Sequence, residues 1–306
     1  MACAHPRAYC LPMAMNDMSF GCRQGRGPAR LASAAAALAL VAGFTTAPPA
    51  TAAAARSKPS APVYIALGDS YAAGTGGGAY IVPPAGLPAE CLQTAAAYPV
   101  LSNATLNLAC AGATTADVAA VADRFAAALK DASVVTVTAG GNDVEAVQAA
   151  VACTAAASSP ACHAALYNSL AVKLRELPAR IEAMLATVKK RAPHARIVLT
   201  GYPRLFTVSP ALTAEQNQAA TMMNAAADLL NATIGYSAVV NKAAYVGVSD
   251  RFSGHGIGSA EPWLVPPGGL CDPAVNCSPS PFDAYHPTAT GYAKGYAAAL
   301  EAARVP

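Results

Sequence analysis

The chain has 306 residues, of which 54% are hydrophobic and only 12% are charged. The charged fraction is about half that of an average soluble protein, and alanine tracts inflate the hydrophobic fraction. A balance of 20 Lys+Arg against 17 Asp+Glu leaves no basic surplus for nucleic acid, and the composition excludes a disordered protein. Outside the N-terminal region, no apolar run reaches the roughly 18 residues of a membrane span, so we expect no stable membrane anchor.

Residues 1–55 have the composition of a Sec-type signal peptide. Arginines precede an apolar, alanine-rich run over 31–44, and small residues follow it. The segment ahead of this run is long, and a start at Met13, Met15 or Met18 gives a more ordinary signal peptide. The alternative is that the segment is retained as a membrane anchor, but the apolar run is short for a membrane span. We therefore expect a secreted, extracellular protein.

The remaining residues, 56–306, have a length that suits a single α/β domain with a substantial core. The prefix contains four arginines and one aspartate, so its removal leaves 16 basic and 16 acidic residues. The mature chain is therefore expected to carry no net charge.

Three of the nine cysteines lie in the prefix, which leaves six in an oxidising compartment. Six cysteines allow 15 connectivities, but these six fall along the chain in three local couples, and short loops close at low entropic cost. A zinc site is the alternative, although the chain has no CxxC motif and no Cys/His cluster with ligand spacing. We expect the disulfides Cys91–Cys110, Cys153–Cys162 and Cys271–Cys277.

Apolar runs alternate with stretches of helical spacing along the mature chain. Buried strands are predicted over 63–67, 106–110, 134–138, 196–200 and 244–248. Helices are predicted over 116–129, 166–191, 214–232 and 288–303, with a kink or break at Pro178. This alternation predicts a parallel sheet between helices, with ligands bound at the carboxyl ends of the strands. A Gly/Pro/Ser-rich stretch over 251–285 predicts a long functional loop.

Polar residues and glycines stand where chemistry is expected, at the strand ends and before the last helix. Ser70 directly follows the first strand at a helix start, beside unpaired helix N–H groups, although a simple helix cap explains it equally well when it is taken alone. Gly112 follows the second strand. Asn142 follows the third and offers an uncharged donor for an oxyanion. Asp283 and His286 are spaced so that the carboxylate can orient the imidazole.

The chain resembles the SGNH hydrolases, also called GDSL lipases and esterases, in four sequence blocks: GDSY at 68–71, the glycine at 112, GGND at 140–143 and DAYH at 283–286. The resemblance spans almost the whole mature chain, so residues 56–306 are expected to be one SGNH hydrolase domain. It implies a flavodoxin-like three-layer α/β/α sandwich with a five-stranded parallel sheet. The six cysteines and the motif HPTATGYAKGYA further resemble the extracellular lipases and esterases of actinobacteria.

The resemblance also implies the roles of the site residues. Ser70 is the expected nucleophile, His286 the general base and Asp283 the acid that orients it. The expected oxyanion hole consists of the Ser70 N–H, the Gly112 N–H and the Asn142 side chain. This chemistry requires no cofactor and no metal.

Two alternatives stay open for the base and its support. Some relatives of the secreted type orient the histidine through a backbone carbonyl, which would release Asp283 from that role. His255, in a Gly-rich loop, is the rival to His286 as the base.

We expect a secreted carboxylic-ester hydrolase that forms an acyl-enzyme on Ser70. The expected substrate is an acyl glyceride, a phospholipid or a small ester, and the protein is expected to be a monomer. A carbohydrate deacetylase on the same fold is the alternative, although the chain has few aromatic residues with which to bind a sugar. A non-catalytic secreted binding protein agrees less well with the chain, because Ser70, Asn142 and His286 are all present.

Overall fold

The computed structural model of the protein describes residues 62–267 and 280–305. The segment interpreted as a signal peptide, residues 1–55, lies outside the described residues, and so does the predicted Cys271–Cys277 disulfide. Within the described part of the chain, no helix combines the length and the apolar composition needed to cross a membrane.

Five parallel strands form the central sheet. They are β1 (Tyr64–Gly68), β2 (Leu106–Asn107), β3 (Val134–Thr138), β4 (Arg196–Thr200) and β5 (Ala244–Val246). Their order across the sheet is β2-β1-β3-β4-β5. This is the flavodoxin-like order, and it confirms the predicted fold class. All residues of β1 and β3 are buried, as expected for strands covered on both faces.

Helices connect the strands and cover the sheet. They are α1 (Ser70–Ala73), α2 (Tyr98–Leu101), α3 (Thr115–Arg124), α4 (Ala126–Leu129), α5 (Ala146–Ala155), α6 (Pro160–Leu166), α7 (Leu174–Arg191), α8 (Ala214–Val240) and α9 (Ala298–Ala302). Two π-helical segments, Tyr167–Lys173 and Gly291–Ala297, lead directly into α7 and α9. Among these elements, α3 packs against α7 and β1, while α8 packs against α7, α5 and the two strands β4 and β5.

Two predictions about these elements are corrected, and one helix was missed. β2 is shorter than predicted, although the following backbone N–H groups of Leu108 and Cys110 still donate to carbonyls of β1. The helical stretch over 166–191 is not broken at Pro178, because α7 continues through it and the irregularity lies in the preceding π-helical segment. Helix α5 was not predicted, since its many alanines show no distinct apolar face.

Two disulfides fasten the segments around the sheet edge. Cys91–Cys110 and Cys153–Cys162 are both present as predicted. The first joins the loop between α1 and α2 to the chain that follows β2. The second joins α5 to α6. Buried residues of these two helices belong to a second hydrophobic cluster, separate from the main core around the sheet.

Candidate active site

Ser70 occupies the sharp turn between β1 and α1. At Gly68 the φ angle is 141°, and a Cβ there would lie 2.4 Å from the carbonyl oxygen of Thr138 at the end of β3. Only glycine therefore fits this approach of the two strand ends. The Asp69 side chain caps α1 by accepting from the Tyr71 N–H over 3.0 Å. These contacts leave Ser70 as the first residue of a helix, with its N–H free of an intrahelical acceptor.

His286 faces Ser70 across the carboxyl edge of the sheet. Its Nε2 lies 2.7 Å from the Ser70 Oγ, and both side chains are buried. Its Nδ1 lies 3.1 Å from the carbonyl oxygen of Ala284. A carbonyl only accepts, so Nδ1 carries the proton and Nε2 is left to accept from the serine hydroxyl. The structure thus brings together the predicted nucleophile and the predicted base.

A strained turn brings the Ala284 carbonyl to the imidazole. Tyr285 has a φ angle of 68°, in the left-handed region that non-glycine residues rarely adopt. The Tyr71 hydroxyl donates to the Tyr285 carbonyl over 2.7 Å, and the Tyr285 N–H donates to Val265. These two hydrogen bonds stabilise the turn and compensate the backbone strain. Tyr71 and Tyr285 belong to the quoted motifs, but their roles were not anticipated.

Burial determines the protonation of the base. Desolvation lowers the pKa of His286 to about 4, and hydrogen bonds to nearby backbone carbonyls, that of Ala284 first, oppose the shift only in part. The imidazole is therefore neutral at neutral pH, which is the state that a general base requires.

The Asp283 carboxylate makes no hydrogen bond to the His286 imidazole, which corrects the expectation that it orients the base, and only the Asp283 backbone carbonyl accepts from the His286 backbone N–H, over 3.1 Å. Its Oδ1 accepts from the Gly76 N–H over 3.1 Å and from the Tyr80 hydroxyl. Its Oδ2 is buried and has no hydrogen-bond partner within the described residues. The physical reason is the turn at Tyr285, which directs a backbone carbonyl rather than this carboxylate toward Nδ1. The side chain instead fastens the loop after α1 to the histidine turn.

The predicted oxyanion donors occupy the neighbouring strand ends. The Asn142 side chain donates one Nδ2 hydrogen to the Ala113 carbonyl over 2.9 Å. This bond fixes the amide and leaves its second hydrogen free. Gly112 adopts a φ angle of 81° in the exposed turn after β2, and a Cβ there would meet nothing within 4 Å. The left-handed backbone conformation therefore explains why glycine occupies this position, and a close neighbouring atom does not.

A largely apolar pocket opens beside Ser70 and Asn142. Side chains from α5, the first π-helical segment, α7 and α8 form most of its wall, among them Val147, Leu170, Leu174, Met223 and Leu230. The pocket therefore places the predicted nucleophile, Ser70, beside a surface that favours hydrocarbon.

Two buried carboxylates support the turns around the site. Asp69 binds a tyrosine and Asp143 binds a threonine. The Asp69 carboxylate accepts from the Tyr202 hydroxyl over 2.5 Å, and desolvation raises the pKa of this carboxyl to about 7. Asp143 accepts from both the N–H and the hydroxyl of Thr115 at the start of α3, over 2.9 and 2.6 Å. Both aspartates hold turns, and neither contacts the serine hydroxyl.

His255 does not reach the nucleophile. Its ring stacks on Trp263 at a centroid distance of 3.7 Å, and its Nδ1 lies 2.8 Å from the Glu261 carbonyl. Within the residues that the structure describes, no group of three or more His, Cys, Asp or Glu residues is arranged to hold a metal ion.

Comparison with known proteins gives relatives that span most of the chain. Residues 66–294 match the profile of the GDSL-like lipase/acylhydrolase family. A lipase of Streptomyces rimosus is 32% identical over 249 residues, which are 78% of this chain and 86% of the relative. Lipase 1 of Streptomyces coelicolor is 30% identical over 280 residues, which are 90% of this chain and 98% of the relative.

Solved structures show the same similarity. The extracellular lipase of Streptomyces rimosus has a TM-score of 0.67 at 30% identity, covering 79% of this chain and 100% of that one. Phospholipase A1 of Streptomyces albidoflavus has a TM-score of 0.65 at 32% identity, covering 79% and 99%. The chain therefore belongs to the GDSL-like lipase/acylhydrolase family, and it is a carboxylic-ester hydrolase.

Proposed function

We propose that the protein hydrolyses esters of hydrocarbon acyl chains through an acyl-enzyme on Ser70. The observation that carries this proposal is the 2.7 Å contact between the Ser70 Oγ and the His286 Nε2 beside an apolar pocket. His286 serves as the general base, and the Ala284 carbonyl orients it. The nucleophile and base form a dyad, and among the residues that the structure describes no carboxylate hydrogen-bonds to the imidazole.

The reaction proceeds in two halves. His286 Nε2 takes the hydroxyl proton as the Ser70 Oγ bonds to the ester carbonyl carbon, which gives a tetrahedral oxyanion. The oxyanion collapses, the bond to the alcohol oxygen breaks, and the imidazolium returns its proton to the leaving alcohol. Water then attacks the acyl-enzyme carbonyl carbon while His286 Nε2 takes a proton from it. The second oxyanion collapses, the bond to the Ser70 Oγ breaks, the imidazolium returns its proton to that oxygen, and the carboxylic acid leaves.

The oxyanion hole consists of the Ser70 N–H, the Gly112 N–H and the free hydrogen of the Asn142 amide. Helix α1 starts at Ser70, so its first N–H lacks an intrahelical acceptor and is available. The amide of Asn142 is already anchored on Ala113. Anchored donors of this kind stabilise the developing charge without first having to reorganise.

Replacement of the two reacting groups tests this mechanism. Ser70→Ala and His286→Ala are each expected to lose at least about 10³-fold in kcat while remaining folded, because each removes a group that acts in both halves. The matched control is Ser169→Ala, since Ser169 is a second buried serine in the same pocket. An organophosphonate should label Ser70 alone. Retained activity in Ser70→Ala, or labelling of Ser169, would contradict the assignment.

The apolar pocket supports the choice of acyl chain over acetyl group. Each methylene that leaves water contributes about 0.8 kcal/mol, which is about fourfold in kcat/KM while the wall continues. The relatives named as lipases and as a phospholipase A1 support acyl lipids as the substrate class. A carbohydrate deacetylase would use little of this wall.

A series of p-nitrophenyl esters from acetate to laurate tests the acyl assignment. We expect kcat/KM to rise with the length of the acyl chain. Ala226→Phe fills the pocket, and we expect it to remove this rise without lowering kcat/KM on the acetate ester. Ala225→Phe is the matched control, because Ala225 is its exposed neighbour on α8 outside the pocket. The highest kcat/KM on acetate in the unmodified enzyme would favour the deacetylase.

We also propose that the protein is secreted as a monomer after removal of residues 1–55. An extracellular relative and the two disulfides support this proposal. N-terminal sequencing of the exported protein and its mass in solution test it. An intact N-terminus on the exported chain would contradict cleavage.

A further inference from the structure

One buried hydroxyl joins the turn of the nucleophile to the turn of the oxyanion donor. The Tyr202 hydroxyl donates to the Asp69 Oδ2 over 2.5 Å and accepts from the Gly141 N–H over 3.0 Å. Asp69 directly precedes Ser70, and Gly141 directly precedes Asn142. The Tyr202 hydroxyl oxygen therefore connects the ends of β1 and β3 through the residues that directly precede Ser70 and Asn142.

The surroundings of Tyr202 hold this hydroxyl in place. Its backbone N–H donates to the Asn231 side chain and its carbonyl accepts from the same side chain, both over 2.8 Å. Its ring meets the Tyr71 ring edge-on at a centroid distance of 5.1 Å. A Cβ at Gly141 would lie 3.2 Å from the Tyr202 Cζ, so the ring and the oxyanion turn are closely packed.

The contacts of Asp69 show that it takes no part in proton transfer. Its Oδ1 accepts from the Tyr71 N–H and its Oδ2 from Tyr202, while His286 lies against Ser70. The carboxylate therefore acts on the serine only through the geometry of the turn. Its partner Tyr202 connects that turn to the second half of the oxyanion hole.

We propose that Tyr202 is a positioning residue for ester hydrolysis, and that its hydroxyl sets the distance between the Ser70 and Asn142 turns. A displacement of about 1 Å between reacting groups can cost about 100-fold in rate. The spacing matters most when the tetrahedral oxyanion forms, because the Ser70 N–H and the Asn142 amide then bind the same oxygen. The proposal rests on the proposed roles of Ser70 and Asn142.

Tyr202→Phe tests the proposal, because it keeps the ring and removes only the hydroxyl. We expect kcat to fall about 10- to 100-fold, with KM changed by less than about twofold. A trifluoromethyl ketone, whose adduct with the serine imitates the oxyanion, should lose affinity by the same factor as kcat. A purely structural role of the hydroxyl would lower thermal stability and would not produce this split between kcat and KM.

Tyr64→Phe is the matched control. Tyr64 is also a buried tyrosine, and its hydroxyl lies 3.0 Å from the Thr136 Oγ1. It stands at the opposite end of β1, four residues and about 13 Å from Gly68. We expect this variant to lose stability and to retain its kcat. An equal loss of kcat in Tyr64→Phe and Tyr202→Phe would overturn the proposal.

A double-mutant cycle with Asp69→Ala, which removes every acceptor for the Tyr202 hydroxyl at this side chain, tests whether the effect passes through the shared hydrogen bond. We expect the double variant to lose clearly less kcat than the product of the two single losses, because both changes break one contact. Strictly multiplicative losses would overturn the proposed connection. If Tyr202→Phe does not fold, Gly141→Ala displaces the same contact from the other side, and unchanged kcat in that variant would overturn the proposal.

The outcome is distinguishable from a failure of the proposed function. Wild-type kcat in a folded Tyr202→Phe protein, together with an inactive Ser70→Ala protein, would reject the positioning role alone. Activity in Ser70→Ala would reject the mechanism on which it rests.

Discussion

Replacement of Asp283 by asparagine distinguishes a backbone-supported dyad from a triad. In a triad, the same change favours the wrong imidazole tautomer and can lower kcat by about 10⁴-fold. In this structure the imidazole Nδ1 lies against the Ala284 carbonyl, which the substitution leaves in place. The tautomer of His286 is therefore preserved.

The expected loss follows from the contacts of the carboxylate. Asparagine keeps an oxygen that can accept from the Gly76 N–H and the Tyr80 hydroxyl. The amide nitrogen replaces the Oδ2, which is buried without a hydrogen-bond partner among the residues that the structure describes, and an unpaired buried donor costs about 1–3 kcal/mol of stability. The imidazolium that forms during catalysis loses only a nearby negative charge. We expect Asp283→Asn to lower kcat/KM tenfold or less, which is about 1.4 kcal/mol, and to lower the melting temperature.

Hydrolysis of a short p-nitrophenyl ester measures the effect, with thermal unfolding recorded on the same samples. His286→Ala is the control, because it removes the base whichever group orients the ring. A loss of 100-fold or more in Asp283→Asn, with an unchanged melting temperature, would show that the carboxylate supports the imidazole and would refute the backbone arrangement.

Two further predictions follow from the site. Asn142→Ala should lower kcat by about 10² to 10³ with little change in KM, the usual cost of one oxyanion donor, and a loss below tenfold would mean that the amide does not face the oxyanion. Because burial lowers the pKa of His286 to about 4, the acid limb of the kcat/KM profile should have its midpoint near pH 4, whereas a midpoint near 6.5 would indicate a solvated base. The same shift means that the unfolded chain binds a proton between pH 6.5 and 4 that the folded chain does not, so this group's contribution to stability falls as the pH drops through that window.

The strand ends and the meeting of Ser70 with His286 were predictable because both depend on short stretches of sequence. A buried apolar run predicts a parallel strand, and its carboxyl end predicts where ligands bind. Ser70, Asn142 and His286 each stand in a motif next to such an end or next to the last helix. The order of the motifs was therefore enough to predict which residues lie together.

The sequence left the support of the histidine open between Asp283 and a backbone carbonyl, because the choice depends on a backbone angle and on distant contacts. The left-handed conformation at Tyr285 has no sequence signal, because the position holds neither the glycine nor the asparagine that such a conformation favours. Tyr80 binds Asp283 from 203 positions away along the chain, and Tyr202 binds Asp69 from 133 positions away. No local pattern indicates which carboxylate a tyrosine will meet. Spacing and the family resemblance therefore assigned Asp283 to the imidazole.

The absence of a carboxylate from the described contacts of the imidazole alters where the transition state gains its stability. In the proposed mechanism, proton transfer to His286 creates a buried cation, and burial opposes this charge by lowering the pKa of the group. The Ala284 carbonyl dipole compensates less than a full negative charge would. The oxyanion forms in the same step on the carbon bonded to the Ser70 Oγ, and it attracts the neighbouring imidazolium directly. Correct placement of the oxyanion donors consequently stabilises both charges, which makes the spacing of the Ser70 and Asn142 turns more important here than in a site with an acid behind the base.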